Sequence, residues 1–271
     1  MKKRVSVIIP IYNEQKYINQ CISSLTLQDI QLHEIVVIND ESTDNTIDVL
    51  RNFNIKLINI HHSGLAHSRN IGLKYCSGEI VVILDGDIYF EKSFIKKLVS
   101  PIISKKGIAS YWTNEYVANF GNIWAYCWNI NMGSFSDSRI TKFLNNNGST
   151  LRAFLRSKYL KKMYDENVGY FSDVSLTSNI KAIPVVNTCC YHYNPDNLFE
   201  VYLSARWIGR SPSFSNSHIN LLKYSIFNSI RVSLMTIKKG APLFFIIFKI
   251  IFDFGIFSGV LFNNIKNNYA K

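Results

Sequence analysis

Residues 80–87 read Ile80-Val81-Val82-Ile83-Leu84-Asp85-Gly86-Asp87. Five apolar residues run straight into two carboxylates set around a glycine. A continuous apolar run this short is the pattern of a strand buried on both faces. Three earlier runs have the same form: residues 5–9 (VSVII, ended by Pro10), residues 34–38 (EIVVI, ended by Asn39-Asp40) and the alternating residues 55–60 (IKLINI). Helical patterns lie between them. Residues 14–25 carry Tyr17, Ile18, Cys21, Ile22 and Leu25 at spacings of three and four. Ser42-Thr43-Asp44 offers N-caps for a helix holding Ile47, Leu50 and Phe53. Residues 66–75 hold Ile71 and Tyr75 and stop at Ser77-Gly78. The alternation predicts an α/β fold, a Rossmann-like, mostly parallel, doubly wound sheet flanked by helices. Ligands of such sheets sit beyond the carboxyl ends of the strands. Asn13-Glu14, Asn39-Asp40 and Asp85-Gly86-Asp87 each follow a strand end, which makes them the first functional candidates.

The 271 residues are 47% hydrophobic, enough to bury a good core. Aromatic residues at 14% and charged residues at only 18% exclude a disordered chain. The formal net charge of +11 is unevenly spread: from His218 onward there are seven basic residues and one acid, Asp253. These cations sit among Phe and Ile, so the expected partner is an anionic membrane surface and no nucleic acid. The five cysteines (Cys21, Cys76, Cys127, Cys189, Cys190) are odd in number and lack metal-ligand spacing, which suits reduced thiols in the cytoplasm. The opening MKKRVSVIIPIYNE turns polar too soon for a signal peptide.

The later chain has a looser pattern. Residues 108–117 read as a strand, 145–149 (NNNGS) as a loop, 152–164 as a helix, 185–193 as a strand and 198–208 as an apolar helix. Arg210-Ser211-Pro212 marks a boundary. In residues 219–237, Ile219, Leu222, Ile226, Ile230 and Ile237 share one helical face, with Asn220, Asn228, Arg231 and Lys238 on the other. Residues 243–262 are apolar enough in length to span a bilayer. Lys249 and Asp253 near the middle would each cost about 2.5–3.5 kcal/mol there, less if they pair at i, i+4. A C-terminal amphipathic and apolar helical appendage lying in the membrane interface is favoured. A hairpin packed on the catalytic domain or on a partner comes next, and a true span last.

The chemistry points to Asp85-Gly86-Asp87. Glycine permits a tight turn and close ligand approach. Two carboxylates supply hard oxygen ligands for Mg²⁺ or Mn²⁺, and a diphosphate fills the remaining positions. With VSVIIPIYNE, NDESTDNT and GLAHSRNIGL before ILDGD, the chain resembles glycosyltransferase family 2, which has the GT-A fold. The four motifs stand in order and cover the first hundred residues well.

The resemblance implies a metal-dependent, inverting transfer of a sugar from a nucleotide-sugar donor (a UDP- or GDP-sugar) to an acceptor hydroxyl. It implies that Pro10, Tyr12 and Glu14 border the base and ribose, that Asp40 accepts a hydrogen bond from the base, and that Arg69 lies near the nucleotide with Asn70 and Gly72 completing its motif. Asp85 would touch ribose and metal, and Asp87 would bind the metal directly. Where the family often has two acids, this chain has Asn39-Asp40. Asp173, in GYFSDVSL, matches the catalytic base, with Ser172 in place of the usual Glu and Asp165-Glu166 as the rival pair. His192 matches a histidine that could ligate metal or phosphate, a buried structural role being nearly as good a reading. His61, His62 and His67 read as loop and helix residues, and the four tryptophans as core before acceptor site. The expected organisation is a catalytic domain of residues 1–212 (donor half 1–107, acceptor half 108–212) and a membrane-associating region, 213–271. The basic tail suggests a lipid-linked acceptor or glycan in surface polysaccharide or glycolipid synthesis, with the protein on the cytoplasmic face of the membrane. Two rivals remain. A nucleotidyltransferase would want a glycine-rich basic loop after its first strand, where this chain has Ile11-Tyr12-Asn13-Glu14. A non-catalytic binding protein would tolerate loss of Asp173.

Overall fold

β1 (Val5–Ile11), β2 (Glu34–Asn39), β3 (Lys56–Asn59) and β4 (Ile80–Ile83) pair in parallel, in the order β3-β2-β1-β4. The computed structural model describes residues 3–139, 152–159, 164–167, 182–211 and 222–269. Packing divides the chain into two compact units. The first takes Met1–Tyr116, Lys142–Glu166 and Ser172–His192; the second takes Val117–Thr141, Asn167–Phe171 and Tyr193–Lys271. The expected boundary at residues 212–213 lies outside the described residues.

In the first unit, successive side chains of the parallel strands enter different cores. Val5, Val7, Ile9 and Ile11 of β1 join Val37 and Val82 on one face. Ile8 joins Val36, Ile38, Val81 and Ile83 on the other. Burial on both faces is why β1, β2 and β4 are nearly continuous apolar runs, whereas β3, with Lys56 and Asn59 exposed, alternates. Helix α1 (Ile18–Thr26) seals the first face with Ile18, Cys21, Ile22 and Leu25, as the three-and-four spacing predicts. Each such aliphatic side chain contributes about 1.5–3 kcal/mol on full burial. α2 (Thr46–Leu50) is a shorter helix, and α3 (Leu65–Tyr75) covers the second face. α3 lies so close to β1 that a Cβ at Gly72 would stand 2.3 Å from Ile8 Cγ2. Only glycine fits there.

Beyond β4 the sheet turns antiparallel. β5 (Ile88–Phe90), α4 (Phe94–Ile103) and β6 (Ala109–Val117) follow, then β7 (Ala153–Leu155), a one-turn α6 (Arg156–Tyr159) and β8 (Ile183–His192). Among the described residues the full order is β3-β2-β1-β4-β7-β6-β8-β5. β7 pairs antiparallel with β4 (Ala153 opposite Val82, Leu155 opposite Ile80) and with β6. The helix expected over residues 152–164 is therefore replaced, at its start, by a strand. Phe154 is fully buried in the second core, and this long-range pairing overrides the local helical spacing.

The second unit is helical. α5 (Ile123–Asn131), α7 (Leu198–Gly209), α8 (Ile226–Ile237) and α9 (Phe245–Tyr269) contribute to it. Phe245, Phe248, Phe252, Ile256 and Val260 form the buried stripe of α9, against Trp128 of α5 and Val201, Ala205 and Ile208 of α7. Helices α7 and α9 touch backbone to backbone. A Cβ on Gly259 would lie 2.2 Å from the Arg206 carbonyl oxygen, and one on Gly209 would lie 2.3 Å from that of Ile256. One face of α9 is thus packed within the second unit, while Phe244, Ile247, Phe254 and Leu261 of the segment 243–262 are exposed. Its two charges pair within the unit, Lys249 Nζ to Asp253 Oδ1 at 2.7 Å, and Ser229 of α8 donates to Asp253 Oδ2 at 2.7 Å. Among the described residues no helix is long and apolar enough to cross a membrane.

Candidate active site

The strand β4 ends at Ile83, and Asp85-Gly86-Asp87 turns the chain into β5. The turn lies against the end of β1: a Cβ on Gly86 would stand 3.1 Å from Ile11 Cγ2 and 3.2 Å from Glu14 Cγ. Glycine lets the β1 loop close over the two acids.

The two carboxylates have different surroundings. Arg69 Nη2 donates to Asp85 Oδ1 at 3.1 Å, and Arg152 Nη1 donates to Asp85 Oδ2 at 3.1 Å. Burial alone would raise the Asp85 carboxyl, but the guanidiniums of Arg152 and Arg69 outweigh it and lower it to about 2. Arg69 is 1% exposed and lies over the Tyr164 ring; Arg152 lies over the Trp112 ring, 4.8 Å from its centroid. Asp87 instead meets His192. Its Oδ2 is 3.0 Å from His192 Nε2, and His192 Nδ1 is 2.8 Å from Glu115 Oε1. Trp112 Nε1 donates to Glu115 Oε2 at 3.0 Å, completing a chain from indole to Asp87. Strand pairing sets this geometry, because β8 runs antiparallel to β5 with His192 opposite Ile88. Cys21 samples the resulting field. Burial first, and then the charges of Asp87, Glu14 and Asp85, push its thiol well above the ordinary range.

The sequence candidates from the first strand ends lie around this centre. Pro10 is buried in β1 opposite Ile38. Tyr12 is 44% exposed, its ring centroid 4.5 Å from that of His62. Glu14 N donates to Thr46 Oγ1, and Asn13, at φ +56°, accepts from Thr43 N at 2.7 Å; together they tie the β1 loop to the loop after β2. Asp40 is 4% exposed and braces the turn into α3: Oδ1 accepts from Ser63 N at 2.8 Å, Oδ2 from Gly64 N at 3.0 Å, and His62 Nδ1 is 3.0 Å from Oδ2. Asn39 stands opposite Asn59 in the β2–β3 register, donates to its Oδ1 at 3.0 Å and accepts from Ser42 N. Asn70 grips a distant segment: it accepts from Tyr164 N at 2.8 Å and donates to Tyr164 O and Glu166 Oε1. His67 Nδ1 is 3.2 Å from the same Glu166 oxygen. Asp173 and Ser172 lie outside the described residues.

Sequence reading missed Arg152 and Glu115. Arg152 follows the Asn-rich loop with no motif around it. Glu115 offers one signal, a carboxylate inside an aromatic strand. Both reach the turn through sheet pairing rather than through proximity in sequence.

The profile of the family described as Glycosyl transferase family 2 matches residues 6–163, more than half of the chain. The chain belongs to glycosyl transferase family 2. It is 28% identical over 189 residues to the glycosyltransferase GlyA of Streptococcus pneumoniae, a match that covers 68% of this chain and 23% of GlyA. It is 36% identical over 101 residues to TarS of Staphylococcus aureus, the poly(ribitol-phosphate) beta-N-acetylglucosaminyltransferase, covering 34% of this chain and 18% of TarS. The chain spans less than half the length of GlyA, TarS and the other curated relatives it matches here. The fold is similar to that of S. aureus TarS 1–349 in complex with UDP-GlcNAc, with a TM-score of 0.55 at 18% identity over 96% of this chain and 92% of that one. It is also similar to the mannosyltransferase PcManGT from Pyrobaculum calidifontis in complex with GDP-Man and Mn²⁺, with a TM-score of 0.51 at 19% identity over 100% of this chain and 76% of that one. The family's GT-A fold is therefore the fold of this chain.

Proposed function

We propose that this family 2 member transfers a sugar from a UDP- or GDP-sugar to an acceptor hydroxyl in one inverting, metal-dependent displacement. The unequal treatment of the two turn acids carries this reading. Asp85 is committed to Arg69 and Arg152, so it serves as a rigid, ionised post on which the ribose side of the donor rests. The two guanidiniums together outnumber it in charge and leave a cationic edge suited to a diphosphate. Asp87 offers a carboxylate beside the imidazole of His192, one hard and one borderline donor, which suits Mg²⁺ or Mn²⁺. Among the described residues no group of three or more His, Cys, Asp or Glu could hold a metal ion. A cation here would thus draw its remaining ligands from donor phosphates and water, as Mg²⁺ commonly does. When bound, it supplies charge neutralisation for the departing nucleoside diphosphate.

The chain's own residues do the rest. Glu115 fixes the orientation of His192, and His192 that of Asp87. Tyr12 and His62 offer exposed rings at the mouth of β1 and β2 for the base, with Pro10 and Glu14 shaping the ribose side and Asp40 holding the loop that presents them. Asp173 takes the proton from the acceptor hydroxyl as it attacks. The acceptor is a glycan or a lipid-linked sugar, consistent with a TarS relative named for poly(ribitol-phosphate) and with the basic, apolar C-terminal region 213–271, which we assign to the cytoplasmic membrane surface.

The decisive measurement is a panel of nucleotide sugars tested for thermal stabilisation of the protein with Mg²⁺, with Mn²⁺ and with chelator. A UDP- or GDP-sugar should raise Tm only with metal. If none does, the donor reading fails. Asp173→Asn should abolish transfer by about 10²–10⁴-fold while keeping donor-induced stabilisation. Full transfer by that variant would remove Asp173 from the base role.

A further inference from the structure

Helix α8 is inside out. Its residues fall into rows four apart. One row, Ser225, Ser229 and Ser233, turns inward: Ser229 is 1% and Ser233 0% exposed, and Ser229 holds the buried Asp253. Two neighbouring rows, Ile226-Ile230-Leu234-Lys238 and Phe227-Arg231-Met235-Lys239, are exposed at every position. Phe227 is 82% exposed and Leu234 50%. A helix packed for its own unit's stability would bury that apolar face and expose the serines. Exposed apolar rows of this extent mark a surface meant for something other than water.

The charges say what that something is. The outward rows add Arg231, Lys238 and Lys239 to the apolar residues, and residues 226–239 contain no acid. The nearby acid, Asp253, faces inward and is neutralised by Lys249. The cores of protein interfaces are depleted in lysine, whereas an apolar face bordered by Lys and Arg is the make-up of a helix lying in an anionic headgroup layer. Twelve residues reach about 18 Å, too short to cross a hydrocarbon core of about 30 Å. We infer that α8 is the docking element of the chain, lying parallel to an anionic phospholipid surface with Ile226, Phe227, Ile230, Leu234 and Met235 entering the headgroup–acyl boundary, an inference that rests on the membrane-surface part of the function proposed above.

The test is flotation of the full chain with vesicles of phosphatidylcholine alone or mixed with phosphatidylglycerol. The unaltered protein should float with the anionic vesicles only. Phe227→Ser with Leu234→Ser should abolish flotation without lowering Tm, since both side chains are exposed. Arg231→Gln with Lys238→Gln and Lys239→Gln should weaken it about a hundredfold, each charge near such a surface being worth roughly a fivefold factor. If the unaltered chain floats and these variants float equally well, another surface docks: the assignment of α8 falls and the membrane reading stands. If the unaltered chain floats with neither vesicle, both fall. If Phe227→Ser with Leu234→Ser instead converts a lipid-free dimer to monomer in sedimentation velocity, the occupant is a second copy and the lipid assignment is overturned. Donor-induced stabilisation, measured on the same samples, reports separately on the sugar-transfer reading.

Discussion

Replacing Lys249 by methionine strips the cation from Asp253 while leaving the bulk of α9 intact. Asp253 is 1% exposed and keeps one donor, Ser229 Oγ at 2.7 Å, once Lys249 Nζ is gone. Removing one partner of a buried pair costs about 3–5 kcal/mol because the remaining charge stays desolvated. The surviving serine bond places Lys249→Met near the lower end, about 3 kcal/mol. For a protein of this size that lowers Tm by roughly 6–12 °C. Adding Asp253→Leu removes the stranded charge, and Ser229 Oγ still has the Ser225 carbonyl oxygen at 3.0 Å as an acceptor. The double variant should therefore recover most of the loss. Arg51→Met is the internal control. Arg51 and Asp48 also pair, at 3.1 Å, but with side chains 75% and 62% exposed, so the change should cost below about 1 kcal/mol. Thermal and urea unfolding followed by circular dichroism give all three values. The reasoning is refuted if Lys249→Met costs no more than Arg51→Met, or if the double variant is less stable than the single one.

Gly259→Val should cost about 1–3 kcal/mol, because its first side-chain atom falls 2.2 Å from the Arg206 carbonyl oxygen; Gly121→Ala, which meets nothing within 4 Å, should leave Tm unchanged. Glu115→Gln should lower apparent Mn²⁺ affinity in donor-dependent stabilisation by about 10–100-fold, since it releases the orientation of His192, and an unchanged metal titration would remove Glu115 from the site. Glu34 is raised by burial, but the hydroxyls of Ser6 and Ser77 and the Ser77 amide outweigh this and lower it. Its folded value thus lies below the unfolded one of about 4.3, so its contribution is present above that pH and is lost as pH falls through the folded value. Glu34→Gln should flatten the acid limb of a Tm-against-pH curve.

The parallel half of the fold was legible because β1, β2 and β4 are buried on both faces and therefore spell themselves out as apolar runs. β7 was not. Its three residues carry a helical spacing, and only their pairing with β4, some seventy positions away in sequence, makes them a strand. α5 was hidden for a different reason. Its buried face mixes Ala125, Cys127, Trp128 and Asn129, so no apolar stripe stands out, although Asn122 caps it by accepting from Trp124 N and Ala125 N. In the candidate site, Arg69 and the two turn acids were readable from motifs. The burial of Arg69 was not, because a helical arginine between polar neighbours looks solvated until Tyr164 is seen beneath it. For α8 the spacing located the apolar face with Ile226 and Ile230, and an interfacial helix requires that face to be the outer one; what the spacing hid was the buried row of Ser229 and Ser233, because serines read as a solvated face.

Trp112 joins the two arms of the Asp85-Gly86-Asp87 turn. Its ring carries Arg152, which holds Asp85, and its N–H carries Glu115, which through His192 reaches Asp87. One indole is thereby wired to both acids, and any shift in either one alters the charge at its face or the bond at its edge. With Trp124, Trp128 and Trp207 changed to phenylalanine, the emission of this single fluorophore becomes an optical gauge built into the protein, able to follow occupancy of the turn in real time without a label.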